Sequence, residues 1–286
     1  MFAVNDIKRV AISTGGGDAP GLNAVIRSVT LASRNRGWDV VGIRDGFNGL
    51  MFPEEYSSGG LIELTRDAVR GISHLGGTIL GSTNRGNPIA YPTEQPDGTW
   101  VEVDRTDELL GKFDAAGIDA LITVGGDGSL TIGNHLHRHG LRVIGVPKTI
   151  DNDLDKTTAT FGFDTAVDFA TECIDRLFTT ATSHGRIIVV EVMGRYAGWI
   201  ALHAGMAAGA HAILIPEIPF DLEPVAETIR QREEHGSRFS IVVVAEGAIP
   251  VGGETVSYTH LRAHETSSSI SYAVFGLKRG GGGGGG

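Results

Sequence analysis

Glycines and carboxylates follow two predicted strands of this chain, at the point where each strand ends. Residues 125–129 (GGDGS) come directly after an apolar run at 118–124, and residues 147–153 (PKTIDND) come after another at 142–146. Open α/β sheets bind their ligands beyond the carboxyl ends of such strands. Glycines let backbone N–H groups approach an anion, and a following helix N-terminus adds positive potential. We therefore expect a phosphate-binding crevice here.

The aspartates in these two runs indicate a metal ion. Asp127, Asp151 and Asp153 have the same sign of charge as a phosphate and would repel it on their own. Mg²⁺ takes hard oxygen ligands and is commonly bound by one or two carboxylates together with substrate phosphates. A calcium loop starting at Asp151 is excluded, because Lys156 stands where such a loop needs glycine and Gly162 where it needs glutamate. The pattern thus predicts a phosphoryl-transfer site with Mg²⁺ on Asp127.

Strands alternate with helices along the chain. The predicted strands are residues 10–14, 40–44, 78–81, 118–124, 142–146, 187–192, 212–215 and 239–244. The predicted helices are residues 23–35, with Asp18 as a possible cap, 61–69, 106–116, 130–139, 164–180, 197–208 and 224–234. A long polar loop is expected at 82–97. Such alternation indicates parallel sheets covered on both faces, here two three-layer α/β/α Rossmann-like domains that divide near Gly162.

Bulk composition excludes several classes of protein. The 286 residues carry a formal net charge of −10, which argues against nucleic acid or an anionic membrane as a partner. The single cysteine, Cys173, rules out an intrachain disulfide and fits a reducing compartment. Charged and polar residues interrupt the apolar start of the chain, so no signal peptide is expected. We predict a cytoplasmic protein.

Residues 255–286 fit nothing that precedes them. Residues 256–266 (VSYTHLRAHET) and 270–278 (ISYAVFGLK) resemble in-frame translations of a sequencing adapter, and seven glycines end the chain. The alternative is a genuine flexible glycine linker. We expect a non-native tail, and a natural protein that continues past Glu254.

The motifs together resemble the signature set of the phosphofructokinase family. Residues 15–21, 125–129, 147–153 and 193–195 (MGR) stand in the family's order and spacing, and the likeness runs from about residue 8 to about residue 253. The resemblance implies a donor domain for ATP and Mg²⁺ at 1–162 and an incomplete sugar-phosphate domain at 163–254. It also implies transfer of the γ-phosphoryl group of ATP to the 1-hydroxyl of fructose 6-phosphate. An allosteric homodimer or homotetramer is expected.

The same resemblance assigns roles to individual residues. Asp151 is expected to be the general base, Thr149 to bond the transferred group, and Arg195 to neutralise it; Lys148 completes this catalytic set. The expected donor contacts are Gly16, Arg85, Gly126, Asp127, Gly128 and Ser129. The expected sugar-phosphate contacts are Thr149, Ile150, Asp151, Arg186, Met193, Gly194, Arg195 and Glu246. Because Arg186 precedes the strand that Arg195 follows, Arg186 is expected to serve an adjacent subunit.

The donor is left between two candidates. Gly128 resembles the ATP-using branch, because a bulkier acid would crowd the region beyond the second phosphate. Lys148 resembles the pyrophosphate-using branch, where an ammonium group holds a compact donor. We predict ATP, because a blocked pocket would exclude ATP outright whereas an extra lysine would not. Pyrophosphate is the alternative.

The motifs argue against two other classes of protein. A nicotinamide-dependent dehydrogenase would need G-x-G-x-x-G after the first strand, and that pattern is absent. A non-catalytic sugar-phosphate sensor would be expected to lack Asp127 or Asp151.

The family closes its sugar pocket with a His-x-x-Arg-Gly-Gly run beyond the position of Glu254. We therefore expect the chain as given to be inactive or nearly so.

Overall fold

The computed structural model describes residues 7–253, which form two compact units. The first unit contains residues 7–150 and 154–162, and the second contains residues 151–153 and 163–253. Residues 151–153 therefore group with the second unit although they precede residue 162 in the chain. No helix among residues 7–253 combines the length and the apolar character that crossing a membrane requires.

The first unit is built on a six-stranded sheet with the order β3-β2-β1-β6-β7-β8. Its strands are β1 (Arg9–Thr14), β2 (Asp39–Ile43), β3 (Leu61–Glu63), β6 (Ala120–Gly125), β7 (Arg142–Thr149) and β8 (Phe161–Gly162); a separate hairpin pairs β4 (Tyr91–Glu94) with β5 (Trp100–Val103). Its helices are α1 (Leu22–Asn35), α2 (Asn48–Met51), α3 (Thr106–Ala115) and α4 (Asp127–Arg138). Only β3 runs antiparallel in the six-stranded sheet.

Two hydrophobic clusters cover the two faces of this sheet. Ala11 packs in the cluster that contains Phe113 of α3 and Leu136 of α4, whereas Ile12 packs in the cluster that contains Ile26 of α1. Successive side chains of a strand point to opposite faces, so these neighbours in β1 mark two separate layers of helices. The predicted α/β class and the three layers are confirmed in this unit.

The second unit repeats the alternation around a three-stranded parallel sheet with the order β10-β11-β9. Its elements are α5 (Phe163–His184), β9 (Ile187–Val192), α6 (Trp199–Ala207), β10 (Ala212–Leu214), α7 (Leu222–Glu234) and β11 (Ser240–Ala245). Ile174 of α5, Ala204 of α6 and Ile241 of β11 are fully buried. The apolar periodicity of the sequence therefore located each of these elements to within a few residues.

Three local predictions in the first unit were wrong. Residues 61–69 begin with strand β3 instead of a helix, because Leu61 pairs with Ile43 and extends the sheet. Residues 78–81 form turns instead of a strand, and the loop at 82–97 contains β4. The side chain of Asn23 accepts a hydrogen bond from the Ile79 amide at 2.9 Å and donates to the carbonyls of Leu75 and Gly77, so a side chain replaces the expected strand ladder.

Two element boundaries also differ from expectation near the predicted site. Helix α1 is capped by Gly21 at φ 92°, whereas the Asp18 carboxylate accepts a hydrogen bond from the Thr78 amide at 3.1 Å. Strand β7 continues to Thr149 instead of ending at residue 146. Lys148 and Thr149 therefore have their positions fixed by the sheet.

Candidate functional site

A glycine turn follows β1 and lies directly against the start of α4. The Gly15 amide donates to the Val124 carbonyl at 2.9 Å. A Cβ added to Gly15 would lie 2.4 Å from Ser129 Oγ, and one added to Gly125 would lie 2.4 Å from the same oxygen. Any larger residue at either position would displace Ser129. The two glycine motifs of the sequence therefore form one packed structure at the carboxyl ends of β1 and β6.

The N-terminus of α4 is open for an anion. Gly126 is its N-cap in an extended conformation, and no side chain of the described residues caps the helix there. A Cβ added to Gly128 would meet nothing within 4 Å. The amides of a first helical turn have no partner within the helix, so these groups and the helix dipole can bind a phosphate.

Asp127 lies exposed in the first turn of α4, beside these amides. Within residues 7–253, no three or more His, Cys, Asp or Glu side chains are grouped so that they could hold a metal ion alone. Mg²⁺ does not need such a group when substrate phosphates supply further oxygens. A single exposed carboxylate next to an uncapped helix N-terminus fits that requirement.

The side chain of Lys148 contacts the glycine turn that follows β1. Its side chain is 5% exposed, and Nζ donates to the Gly17 carbonyl at 2.5 Å. A Cβ added to Gly16, whose φ is +79°, would lie 3.4 Å from that Nζ. Burial lowers the pKa of Lys148, and the negative charge of Asp18 opposes this effect. The ammonium group thus places positive charge next to the turn, and its hydrogen bond to Gly17 holds the turn in place.

The loop that carries Arg85 is bonded to the same glycine turn. The Gly16 amide donates to the Thr83 carbonyl at 3.2 Å, and the Arg85 amide donates to Thr83 Oγ1 at 3.0 Å. Arg85 itself is exposed. Thr83 therefore links Gly16, through its backbone carbonyl, to Arg85, through its side-chain hydroxyl, and no motif in the sequence indicated this residue. The structure thus brings together on one edge of the first unit the predicted residues Gly16, Arg85, Gly126, Asp127, Gly128, Ser129 and Lys148.

Three carboxylates interact in the second unit. The pKa of Asp151 is raised from about 3.8 to about 6, first by burial and then by the negative charges of Asp153 and Glu246. Asp153 and Glu246 are exposed, whereas Asp151 is half-buried. A carboxylate with a pKa near 6 is largely ionised at neutral pH and still accepts a proton readily. Such perturbed groups are typical of catalytic sites.

The ends of β9 and β11 bring Arg195 and Glu246 to one edge of the second sheet. The Glu246 amide donates to the Val192 carbonyl at 2.9 Å, and the Gly247 amide donates to the Gly194 carbonyl at 3.1 Å. Gly194 has φ +145°, and a Cβ there would lie 2.8 Å from the Ala197 carbonyl oxygen. The glycine of the MGR motif is thus required by close packing, and it leaves Arg195 exposed.

Arg186 lies at the other end of β9 from Arg195. It immediately precedes this six-residue strand, which spans about 20 Å at about 3.3 Å per residue. Both arginines are exposed. The structure therefore does not bring them together within one chain. Ile150 is half-buried after β7 in the first unit, and Met193 is 46% exposed after β9.

These features describe an α/β protein that has an uncapped helix N-terminus beside a glycine turn and a half-buried carboxylate of raised pKa, and comparisons with known proteins give its family. The model of the phosphofructokinase family matches residues 9–283. The chain is 51% identical over 251 residues to the ATP-dependent 6-phosphofructokinase 2 of Clostridium perfringens, covering 87% of this chain and 67% of that protein. It is 52% identical over 246 residues to the ATP-dependent 6-phosphofructokinase of Chloroflexus aurantiacus, covering 86% and 67%. The chain belongs to the phosphofructokinase family.

Solved structures agree with this assignment. The phosphofructokinase of Saccharomyces cerevisiae is similar with a TM-score of 0.71 and 32% identity, over 85% of this chain and 34% of that one. The pyrophosphate-dependent phosphofructokinase of Marinobacter aquaeolei is similar with a TM-score of 0.68 and 27% identity, over 85% and 62%. The chain thus spans about two thirds of the relatives above and about one third of the yeast enzyme.

The predicted non-native tail lies outside the described residues. The family match extends to residue 283 and so enters this segment. The tail therefore stays a prediction.

Proposed function

We propose that the protein transfers the γ-phosphoryl group of ATP to the 1-hydroxyl of fructose 6-phosphate. The raised pKa of Asp151 carries the proposal, because a sugar hydroxyl is a poor nucleophile until a base accepts its proton. Relatives about 50% identical are named ATP-dependent 6-phosphofructokinases, which supports the same reaction. The first unit would bind the donor, and the second unit would bind the sugar phosphate.

Different residues would bind the donor, accept the proton and neutralise the transferred group. The amides of the glycine turn and of the first turn of α4 would hold the donor phosphates. Asp151 would accept the proton of the 1-hydroxyl while the oxygen attacks the γ-phosphorus, and the nucleoside diphosphate would leave with the electrons of the broken bond. Arg195 would neutralise charge on the transferred group, a task that suits a permanently charged planar fork. Mg²⁺, when bound with Asp127, would supply further charge neutralisation to the donor phosphates.

ATP is the proposed donor, and pyrophosphate is the alternative. Space around Gly128 is open, so no side chain at this position restricts a longer donor. The family resemblance links a lysine at position 148 with pyrophosphate as the donor, but here the Lys148 ammonium group donates to the Gly17 carbonyl. That bond gives Lys148 a role in supporting the glycine turn, whichever donor is used.

The functional assembly and location are proposals of the same kind. A homodimer or homotetramer is supported by the distance between Arg186 and Arg195, since a neighbouring subunit could then supply the former. A cytoplasmic location agrees with the single cysteine. Regulation by allosteric effectors stays a prediction.

Replacing Asp151 tests the proposal. The protein should be expressed with the natural coding sequence that follows Glu254, and formation of fructose 1,6-bisphosphate from Mg·ATP should be measured. We expect Asp151→Ser to lower kcat by about 10²-fold or more while the KM for the sugar phosphate changes little. Asp155→Ser, at an exposed carboxylate of the same loop, is the matched control. An undiminished kcat in Asp151→Ser would refute the assignment of the base.

A further inference from the structure

Asp45 lies at the carboxyl end of β2, on the edge of the first sheet that carries the glycine turn. Its backbone has φ +48°, a conformation that aspartate tolerates better than most residues. Its amide donates to the Leu80 carbonyl at 2.9 Å. A Cβ added to Gly81, itself at φ +72°, would lie 2.0 Å from Asp45 Oδ1. The carboxylate therefore rests directly on the backbone of Gly81.

Tyr56 bonds the other oxygen of this carboxylate. Its hydroxyl donates to Asp45 Oδ2 at 2.9 Å. Burial, followed by the hydrogen bond and the charge of Asp45, raises the pKa of Tyr56 to about 12, so the donor keeps its proton at neutral pH. The loop that carries Tyr56 is fixed by its ends, because a Cβ added to Gly49 would lie 2.2 Å from the Gly60 carbonyl oxygen.

The segment that begins at Gly81 leads straight into the donor-phosphate site. The Gly81 carbonyl accepts a hydrogen bond from Thr14 Oγ1 at 2.7 Å. Two residues further on, the Thr83 carbonyl accepts a hydrogen bond from the Gly16 amide, and Thr83 Oγ1 accepts one from the Arg85 amide. A shift of Gly81 would therefore move both the acceptor that orients the Gly16 amide and the backbone that carries Arg85.

We propose that Asp45 is a positioning residue for the donor-phosphate site, acting on residues 81–85 through its packing against Gly81 and its hydrogen bond from Tyr56. Asp45 does not need to touch the donor in order to act. The placement of residues 81–85 stands on contacts within the first unit alone, whereas the effect on donor binding rests on the proposed function.

Gly81→Ala tests the packing, and Gly77→Ala is its matched control. Both glycines have φ +72°, but a Cβ at Gly77 meets nothing within 4 Å. The strain of a positive φ is thus common to both variants, and only Gly81→Ala pushes on Asp45. We expect Gly81→Ala to weaken Mg·ATP binding by about tenfold and Gly77→Ala by less than about twofold. In an Asp45→Gly background, Gly81→Ala should have little additional effect.

Tyr56→Phe and Asp45→Asn test the hydrogen bond. Loss of the hydroxyl should weaken Mg·ATP binding by about three- to tenfold. Asparagine tolerates a positive φ and its amide oxygen can still accept from Tyr56, so Asp45→Asn should restore most of the affinity that Asp45→Gly loses. Equal loss in Asp45→Asn and Asp45→Gly would overturn the inference.

Two readouts on the full chain separate this inference from the proposed function. Calorimetry measures the Kd for Mg·ATP, and amide hydrogen exchange measures protection of residues 81–86; faster exchange in Gly81→Ala but not in Gly77→Ala is expected. If the wild type binds Mg·ATP and neither Gly81→Ala nor Tyr56→Phe changes its Kd, the positioning role is wrong and the proposed function stands. If the wild type does not bind Mg·ATP, the donor site fails, and the exchange comparison decides the inference alone: unchanged exchange overturns it.

Discussion

Asp151→Asn should stabilise the protein at neutral pH while it removes the proposed base. Burial and the charges of Asp153 and Glu246 raise the pKa of Asp151 from about 3.8 to about 6. Between these values the folded state binds a proton that the unfolded state has released. The free energy of unfolding therefore falls as the pH rises from about 4 to about 6, and the loss is complete above the folded pKa. An asparagine carries no such charge and escapes this loss.

The size of the effect follows from the pKa. Each pK unit corresponds to about 1.4 kcal/mol, so the rise of the Asp151 pKa from about 3.8 to about 6 sets an upper limit of about 3 kcal/mol. The side chain is only half-buried, and solvent screens its interactions with Asp153 and Glu246. We therefore expect Asp151→Asn to raise the free energy of unfolding by about 1–2 kcal/mol at pH values above about 6, and by almost nothing near pH 4.

Urea unfolding of wild type and Asp151→Asn across this pH range measures the difference directly. Asp114→Asn, at an exposed carboxylate on α3, is the control and should leave the free energy of unfolding unchanged at each pH. The reasoning is refuted if the difference between Asp151→Asn and wild type does not change with pH. A variant that is less stable than wild type at pH 8 would also refute it.

Three further predictions concern the neighbours of the proposed site. Glu246→Gln removes one of the charges that raise the pKa of Asp151, so the acidic limb of the pH profile of kcat/KM should move to lower pH; an unmoved limb would contradict this electrostatic cause. Gly128→Asp should depress kcat/KM for ATP by about tenfold or more relative to pyrophosphate, with Gly128→Ala as the control because its Cβ meets open space. Gly16→Ala should lower the free energy of unfolding by about 1–2 kcal/mol, because Gly16 has φ +79°. Gly17→Ala is the control: a Cβ there meets nothing within 4 Å, so this variant should lose less stability. Equal losses in the two variants would show that the positive φ of Gly16 is not the cause.

Local patterns predicted the sheets well because burial leaves a strong periodic signal. The apolar run at 118–124 became β6, and the run at 187–192 became β9 without a shift. The errors fell where tertiary contacts decide the structure. Leu61 joins the sheet edge by pairing with Ile43, and residues 78–81 are bonded to the side chain of Asn23. No short window of sequence contains these partners.

The residues of the proposed site likewise include some that the sequence indicated and some that only the structure shows. Glycine and carboxylate motifs pointed to Gly16, Asp127 and Asp151, because each stands at a strand end and the residue types restrict the chemistry. Thr83 and Asp45 left no such signal. Thr83 bonds the glycine turn through its backbone carbonyl, and Asp45 acts through contact with Gly81, which is distant in sequence. Such supporting residues emerge only when the strands are placed side by side.

The most direct measurement of the central claim is ³¹P NMR of the reaction mixture. The protein, expressed with the natural coding sequence that follows Glu254, would be incubated with Mg·ATP and fructose 6-phosphate, and in a parallel sample with pyrophosphate as the donor. We predict a new phosphate ester at C1 of the sugar together with ADP, formed faster from ATP than from pyrophosphate. Transfer from pyrophosphate alone would contradict the choice of donor, and no transfer from either would contradict the proposed function.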